Sequence, residues 1–295
     1  MAPDRHHDVH LDEADWLAWA EHTELEGEVL LAFVTDAATK VRALRGPEAQ
    51  PVRRVLDVGS GPGVGTCELA RIFPEAEVIA VDSSPAMLER VTQRTSALGL
   101  GCRVRTHLAE LPGGIADLGP AEVIWASMSL HHVGDEVAAL RALGSVLAPD
   151  GLLAIAEFGD SMRVLPDDLD VGRPGLADRL DRAGASWFAA MRDGLPGATP
   201  SADLPSMLNH AGLEVVVAHL ATERLDAPIS ADTRQVALGY LRRSRGQLAS
   251  YLEEDDLATL EVLADPDDPR SVQHRPDVVV AASRQIVIAR PDSAR

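Results

Sequence analysis

The stretch Val55-Leu56-Asp57-Val58-Gly59-Ser60-Gly61-Pro62-Gly63-Val64-Gly65 leaves this chain few folds to choose from. An apolar run of strand length ends in a glycine-rich turn, and a helix is expected to follow over about 63–72. Glycines in such a turn accept positive φ and let the backbone approach a ligand with no Cβ in the way. Strand, glycine turn and helix in that order predict a nucleotide-like cofactor at the junction.

A nicotinamide or flavin site would need Gly-x-Gly-x-x-Gly. Counting from Gly59, Gly61 or Gly63 puts Val64, Thr66 or Glu68 in the last slot, so the spacing fails. What fits is Asp-x-Gly-x-Gly-x-Gly, with Asp57 two residues before the first glycine. An anion there repels a pyrophosphate and suits a ligand with a cationic end, such as an α-amino group. In this motif the chain resembles the class I S-adenosylmethionine-dependent methyltransferases, and the resemblance makes S-adenosylmethionine the expected cofactor.

A second acid should then close the next strand. Glu77-Val78-Ile79-Ala80-Val81-Asp82 is such a strand, and α/β nucleotide folds keep a ribose-binding acid about 20 residues beyond the glycines. The plainer alternative is that Asp82 caps the helix starting near Pro85. The resemblance implies that Gly59, Ser60, Gly61 and Gly63 cradle the cofactor, that Asp82 takes both ribose hydroxyls, and that Ser83 to Met87 line the adenine. At the end of the third strand His107, Leu108 and Ala109 stand where the family has an acid and small residues. His107 replaces the acid, and its neutral ring accepts a hydrogen bond from an adenine amino group only in the right tautomer; Glu110 is the residue that would compensate. After the fourth strand, carbonyls near Trp125, Ala126 and Ser127 are expected to hold the methionyl amino group. His131 and His132 come next, at the carboxyl ends of the strands where open α/β sheets bind ligands. Either is a candidate base for a phenol, enol or amine, against the alternative that the pair only shapes the pocket. Glu157 and Asp160, closing the fifth strand, would bind substrate or satisfy a neighbouring arginine.

Strands expected at 53–58, 77–82, 102–107, 121–127 and 151–158 alternate with helices at 63–72, 85–98 and 135–147, the last stopped by Ala148-Pro149-Asp150-Gly151. The fold class is therefore α/β, a Rossmann-like, mostly parallel sheet with helices on both faces. By resemblance it has seven strands with an antiparallel edge. Helical additions are expected at Ser161 to Pro200, with an amphipathic part around Leu176 to Met191, and at about Asp232 to Leu263. A helix from Ala202 to Ala211 precedes a sixth strand at Leu213 to Leu220, and the last strand falls at Val278 to Ala289. Leu11 to Leu44 suits one or two amphipathic helices, with Trp16 and Trp19 placed either to shield the cofactor or to pack on the core. The expected division is a helical lid over 1–50, a cofactor-binding core over 51–160, and over 161–295 an acceptor-binding cap with the last two strands, folded over the sheet's C-terminal edge.

The formal net charge of -19 opposes phosphate backbones and anionic membrane surfaces, so a small-molecule acceptor is expected rather than nucleic acid or membrane. Cys67 and Cys102 make no disulfide framework, Met1 to His10 has no apolar signal core, and no membrane-length apolar run occurs, which together predict a cytoplasmic protein. His6, His7 and His10 lack a Cys or carboxylate partner at fixed spacing, so a tail is expected there and no metal. Trp187, Phe188, Met191, Tyr240 and Tyr251 would line an apolar acceptor pocket or fill helix cores. Arg242, Arg243 and Arg245 would meet a substrate carboxylate or solvent. The expected function is methyl transfer to O, N or C of a small aromatic or enolic metabolite of secondary metabolism, nearest to the branch typified by quinone-biosynthesis methyltransferases, with a homodimer as the possible assembly. Two alternatives stand beside it: a pericyclase-like protein that binds S-adenosylmethionine without transferring methyl, and an NAD-dependent oxidoreductase.

Overall fold

The computed structural model of the chain describes residues 13–167, 169–198 and 203–292. His6, His7 and His10 lie outside them. The chain divides into two compact units, one of Met1–Phe158, Leu195–Ala221 and Arg284–Arg295, the other of Gly159–Gly194 and Thr222–Ser283.

The first unit opens with helices α1 (Glu13–Val29) and α2 (Ala32–Arg45). Strands β1 (Arg54–Val58), β2 (Glu77–Asp82), β3 (Val104–Leu108), β4 (Ala121–Ser127) and β5 (Leu147–Phe158) then alternate with helices α3 (Val64–Ile72), α4 (Pro85–Ala97) and α5 (Glu136–Ser145). Beyond helix α6 (Leu176–Asp193) come α7 (Leu204–His210) and β6 (Leu213–Leu225). Helices α8 (Ala231–Gln247) and α9 (Glu254–Ala264) precede β7 (Val280–Pro291). The seven strands form one sheet in the order β3-β2-β1-β4-β5-β7-β6, with β7 antiparallel to β5. This is the expected Rossmann-like sheet.

Successive strand residues point to opposite faces, and both faces are covered, so the central strands read as unbroken apolar runs. Leu56 and Val58 join Ile124, Ala126, Leu153 and Ile155 in a core closed by α5 and α7. Val55 joins Val78, Val123, Trp125 and Ala154 in a second core under α2, α3 and α4. The acidic Asp57 occupies a strand position on that second face, where it is 3% exposed.

The expected helix boundaries move little, but β5 begins four residues earlier than its apolar run. Helix α5 stops at Ser145, before Ala148-Pro149-Asp150-Gly151 is reached, and that tetrapeptide lies within the strand instead: Ala121 lies opposite Leu147 while Val123 lies opposite Leu152. The surplus residues form an irregularity in the ladder. Gly151 permits it, because a Cβ there would lie 2.8 Å from the Ala121 carbonyl oxygen. The second helical addition consists of α8 and α9, separated by a 3-10 turn over Ala249–Tyr251. No helix among the described residues is long and apolar enough to cross a membrane.

Candidate functional site

Parallel pairing brings the ends of four strands level. Val58 is opposite Val81 on one side and Ala126 on the other, Asp82 is opposite Leu108, and Ser127 is opposite Ala156. The expected cofactor residues therefore share one edge of the sheet. The glycine turn is anchored there by its own backbone, with Gly59 and Ser60 N–H both donating to the Val81 carbonyl at 2.8 and 3.1 Å. Gly63 ends the turn at φ 85°, and a Cβ on it would come within 2.9 Å of Val91 Cγ2, so α3 and α4 close together only over a glycine.

Asp82 is bound into this turn. Its Oδ2 accepts from Gly61 N–H at 2.8 Å and its Oδ1 from Ser84 N–H at 2.9 Å. The cap of α4 is Ser84, whose Oγ accepts from Met87 N–H, so capping does not account for the acid. Ser83 is half-buried, and Met87 is 3% exposed, its side chain within the packed interior. Two features fit a ligand over the turn: among the described residues Ser60 Oγ is buried without a hydrogen-bond partner, and a Cβ at Gly61 would meet no atom within 4 Å.

The Asp57 carboxylate faces inward under α3 and accepts from Thr66 Oγ1 at 2.5 Å. Burial pushes its pKa up to about 7, against the Thr66 bond, and the nearby Asp82 charge adds to the rise. His107 Nε2 donates to the Gly114 carbonyl at 2.7 Å, which makes Nδ1 the acceptor nitrogen of the neutral ring. Leu108, the last residue of β3, is 58% exposed, and Ala109 N–H donates to the Asp82 carbonyl.

Beyond β4 the chain turns through Met128, whose φ of 52° is unusual for a residue with a side chain. Ser129 Oγ then donates to the Val58 carbonyl at 3.2 Å, tying this turn to the start of the glycine turn. Glu157 supplies the rest of its order. Its Oε1 accepts from Ser129 and Leu130 N–H at 3.1 and 2.8 Å, and its Oε2 accepts from His131 Nδ1–H at 2.6 Å. The carboxylate thus neither binds an arginine nor stands open to substrate, as the sequence had suggested; it fixes the His131 ring. That ring is buried and lies 4.1 Å from the half-buried His132 ring and 4.7 Å from Phe158, centroid to centroid. The acid at the end of β5 was visible in sequence, but its pairing with His131 depends on a register across two strands.

Of the expected lid tryptophans, Trp16 carries the Arg90 guanidinium 5.8 Å over its ring. Arg90 also binds Glu24 at 2.9 Å, and Arg94 binds both Glu24 and Glu28, so α1 is clasped to α4. In the second unit Trp187, Phe188 and Met191 are half-buried and Tyr251 is 42% exposed. Arg242 reaches the Ala264 carbonyl and Arg245 pairs with Glu261 at 3.2 Å, joining α8 to α9. Asp160 is held by Ser283, whose Oγ accepts from its N–H at 2.6 Å.

Residues 55–151 match the family model described as a methyltransferase domain. Over 141 residues the chain is 37% identical to the malonyl-[acyl-carrier protein] O-methyltransferase of Halorhodospira halophila, covering 48% of this chain and 45% of that protein. It is 34% identical over 141 residues to the trans-aconitate 2-methyltransferase of Methylobacterium radiotolerans, covering 48% of each. The chain thus spans about half the length of the relatives it matches. Among solved structures, a methyltransferase from Geobacter sulfurreducens in complex with S-adenosylhomocysteine is similar at a TM-score of 0.47 and 19% identity, over 87% of this chain and 90% of that one.

Proposed function

We propose that this chain, which carries a class I S-adenosylmethionine-dependent methyltransferase domain, methylates a small molecule at a hydroxyl that is protonated at neutral pH, as in a phenol or enol. The observation that carries this reading is the Glu157–His131 pair, tied through Ser129 to the glycine turn. An acceptor already ionised needs no base, whereas a hydroxyl does. Glu157 holds the proton on Nδ1, so Nε2 is the nitrogen that takes the acceptor's proton, and the carboxylate then stabilises the imidazolium. Glu157 is on this reading a positioning residue, His131 the catalytic one, and His132 a wall of the pocket.

Cofactor recognition is assigned to the residues at the strand ends. Asp82 would accept from the ribose hydroxyls, Ser60 Oγ and the turn from Gly59 to Gly63 would lie against the ligand, and His107 Nδ1 would accept from the adenine amino group. Ser83 and Met87 border that place, Leu108 and Ala109 flank it, and the Ala126 and Ser127 carbonyls would receive the methionyl ammonium. Asp82 would supply the negative charge that a cationic ligand needs, and Asp57, protonated below about pH 7, adds to it only above that. When bound, S-adenosylmethionine supplies a methyl group already activated on a cationic sulfur, so positioning and one proton acceptor are what the protein must add.

Calorimetry with S-adenosylmethionine, S-adenosylhomocysteine and NADH tests the cofactor. The first two should bind, and Asp82→Ala should weaken them by about 10- to 100-fold, the worth of hydrogen bonds to a charged group. Binding of NADH alone, or unchanged affinity in the variant, overturns the assignment. Mass spectrometry with catechol, hydroquinone and acetylacetone should then detect gain of one methylene. Methylation of carboxylates with none on these hydroxyls would refute the acceptor class, and conversion at unchanged mass would favour a protein that does not transfer methyl.

A further inference from the structure

Ser129 engages three parts of the site through three different atoms. Its N–H donates to Glu157 Oε1 at 3.1 Å, its Oγ donates to the Val58 carbonyl at 3.2 Å, and its own carbonyl accepts from His132 N–H at 3.2 Å. Its Cβ lies against the glycine turn: a Cβ added at Gly59 would come within 2.2 Å of it and 2.7 Å of Oγ. The loop that bears the histidines therefore touches the turn at a point where neither can shift without moving the other.

The approach to this contact is equally constrained. Met128 N–H donates to the Ala156 carbonyl at 2.8 Å, and the positive φ of Met128 then turns the chain so that the next two amides meet Glu157. A residue with a side chain keeps that conformation only where its surroundings hold it there.

The hydroxyl is not what orders either partner. The glycine turn is anchored on β2 through the Gly59 and Ser60 amides, and the His131 ring is fixed by Glu157, which is itself held by two backbone amides. What the bond from Oγ to Val58 adds is the separation between them. In methyl transfer the acceptor oxygen must face the methyl donor while its proton faces the base, and small errors in such an alignment are costly. We infer that Ser129 is a positioning residue for methyl transfer, whose hydroxyl sets the distance between the glycine turn that carries the donor and the histidine that takes the proton. This rests on His131 being the base.

The test compares two acceptors at about pH 8: catechol, which is largely protonated there, and 4-nitrocatechol, which is largely ionised and needs no base. Ser129→Ala removes the Oγ bond and leaves the amide and carbonyl bonds in place. With catechol its kcat should fall at least about tenfold while KM stays within about twofold, and with 4-nitrocatechol kcat should stay within about threefold. Calorimetric affinity for S-adenosylhomocysteine and the Nδ1–H tautomer, read from ring ¹⁵N shifts, should match the parent. Parental turnover of catechol, equal losses on both acceptors, weakened cofactor binding or a changed tautomer each overturns the inference. Ser129→Cys, of the same shape with a weaker donor, serves in its place if Ser129→Ala does not melt cooperatively. His131→Ala separates the two readings, because it should show the same selective loss on catechol. Selective loss in His131→Ala alone removes the role of Ser129 and keeps the base. Equal losses in His131→Ala, or a parent that methylates neither acceptor, remove the base and the inference with it.

Discussion

Replacing Glu157 with Gln tests the proposed base at the level of one proton. The carboxylate accepts three hydrogen bonds, two from the Ser129 and Leu130 amides on Oε1 and one from His131 on Oε2. A glutamine side chain has one oxygen to offer. Two backbone donors outweigh one ring donor, so the amide oxygen stays with Ser129 and Leu130 and the NH2 group turns to His131. Nδ1 must then accept, and the proton of the neutral ring moves to Nε2. Recovering the productive tautomer would set N–H against N–H and forfeit a buried bond, costing about 3 kcal/mol. That corresponds to roughly a hundredfold loss in turnover. Ring ¹⁵N shifts report the tautomer with no substrate present, and S-adenosylhomocysteine release on the best phenol or diketone reports turnover. Cofactor affinity should be unchanged, since Glu157 is not among the residues assigned to it. If Glu157→Gln keeps the Nδ1–H tautomer, or switches tautomer and still turns over within about twofold of the parent, the reasoning is wrong.

The acid buried at the end of β1 predicts a pH dependence. Its folded pKa of about 7 exceeds the ordinary value of 3.8, so between those pH values the native state holds a proton that the unfolded state has lost. Asp57 therefore stabilises the fold least above pH 7, with a loss of up to about 1.4 kcal/mol per pH unit on the way up. Asp57→Asn removes the titration, so the melting-temperature difference between variant and parent should move in the variant's favour from pH 5 to pH 8; a difference independent of pH refutes the buried-acid account. The clasp of α1 on α4 predicts that Arg94→Ala, which removes the pairs to Glu24 and Glu28, speeds limited proteolysis within α1 several-fold. Cleavage at the parental rate would show that the clasp contributes nothing to holding the helix.

The sheet and the turn were legible because their signals are local. A run such as Val55 to Val58 has the composition of a strand covered on both faces, and the glycine spacing around Gly61 selects among turns without reference to any other part of the chain. Asp82 was legible because its distance from the glycines along the chain is set by one strand–helix–strand repeat. The role of Glu157 was not, because its partner His131 is 26 residues away and meets it only through the pairing of β4 with β5. Asp57 was read as a charge presented to a ligand, whereas its exposure and protonation depend on Thr66 and on the packing of α3. In the second unit α6 was legible from the amphipathic pattern around Leu176 to Met191, a signal local to one helix.

The irregularity at Gly151 has reach beyond its own turn. A strand has only two phases, and whichever phase it enters with is carried to its far end. The surplus residues between Leu147 and Leu152 let β5 join the ladder at Ala121 and then proceed in the phase that puts Ile155 into one core and Ala156 into the other. Glu157 inherits that phase, and its neighbour Phe158 the opposite one. The carboxylate that holds His131 is thus aimed by a decision made at the opposite edge of the sheet. Loss of one residue between Ala148 and Gly151 would leave a β-strand of much the same composition and point the wrong side chain at the histidine.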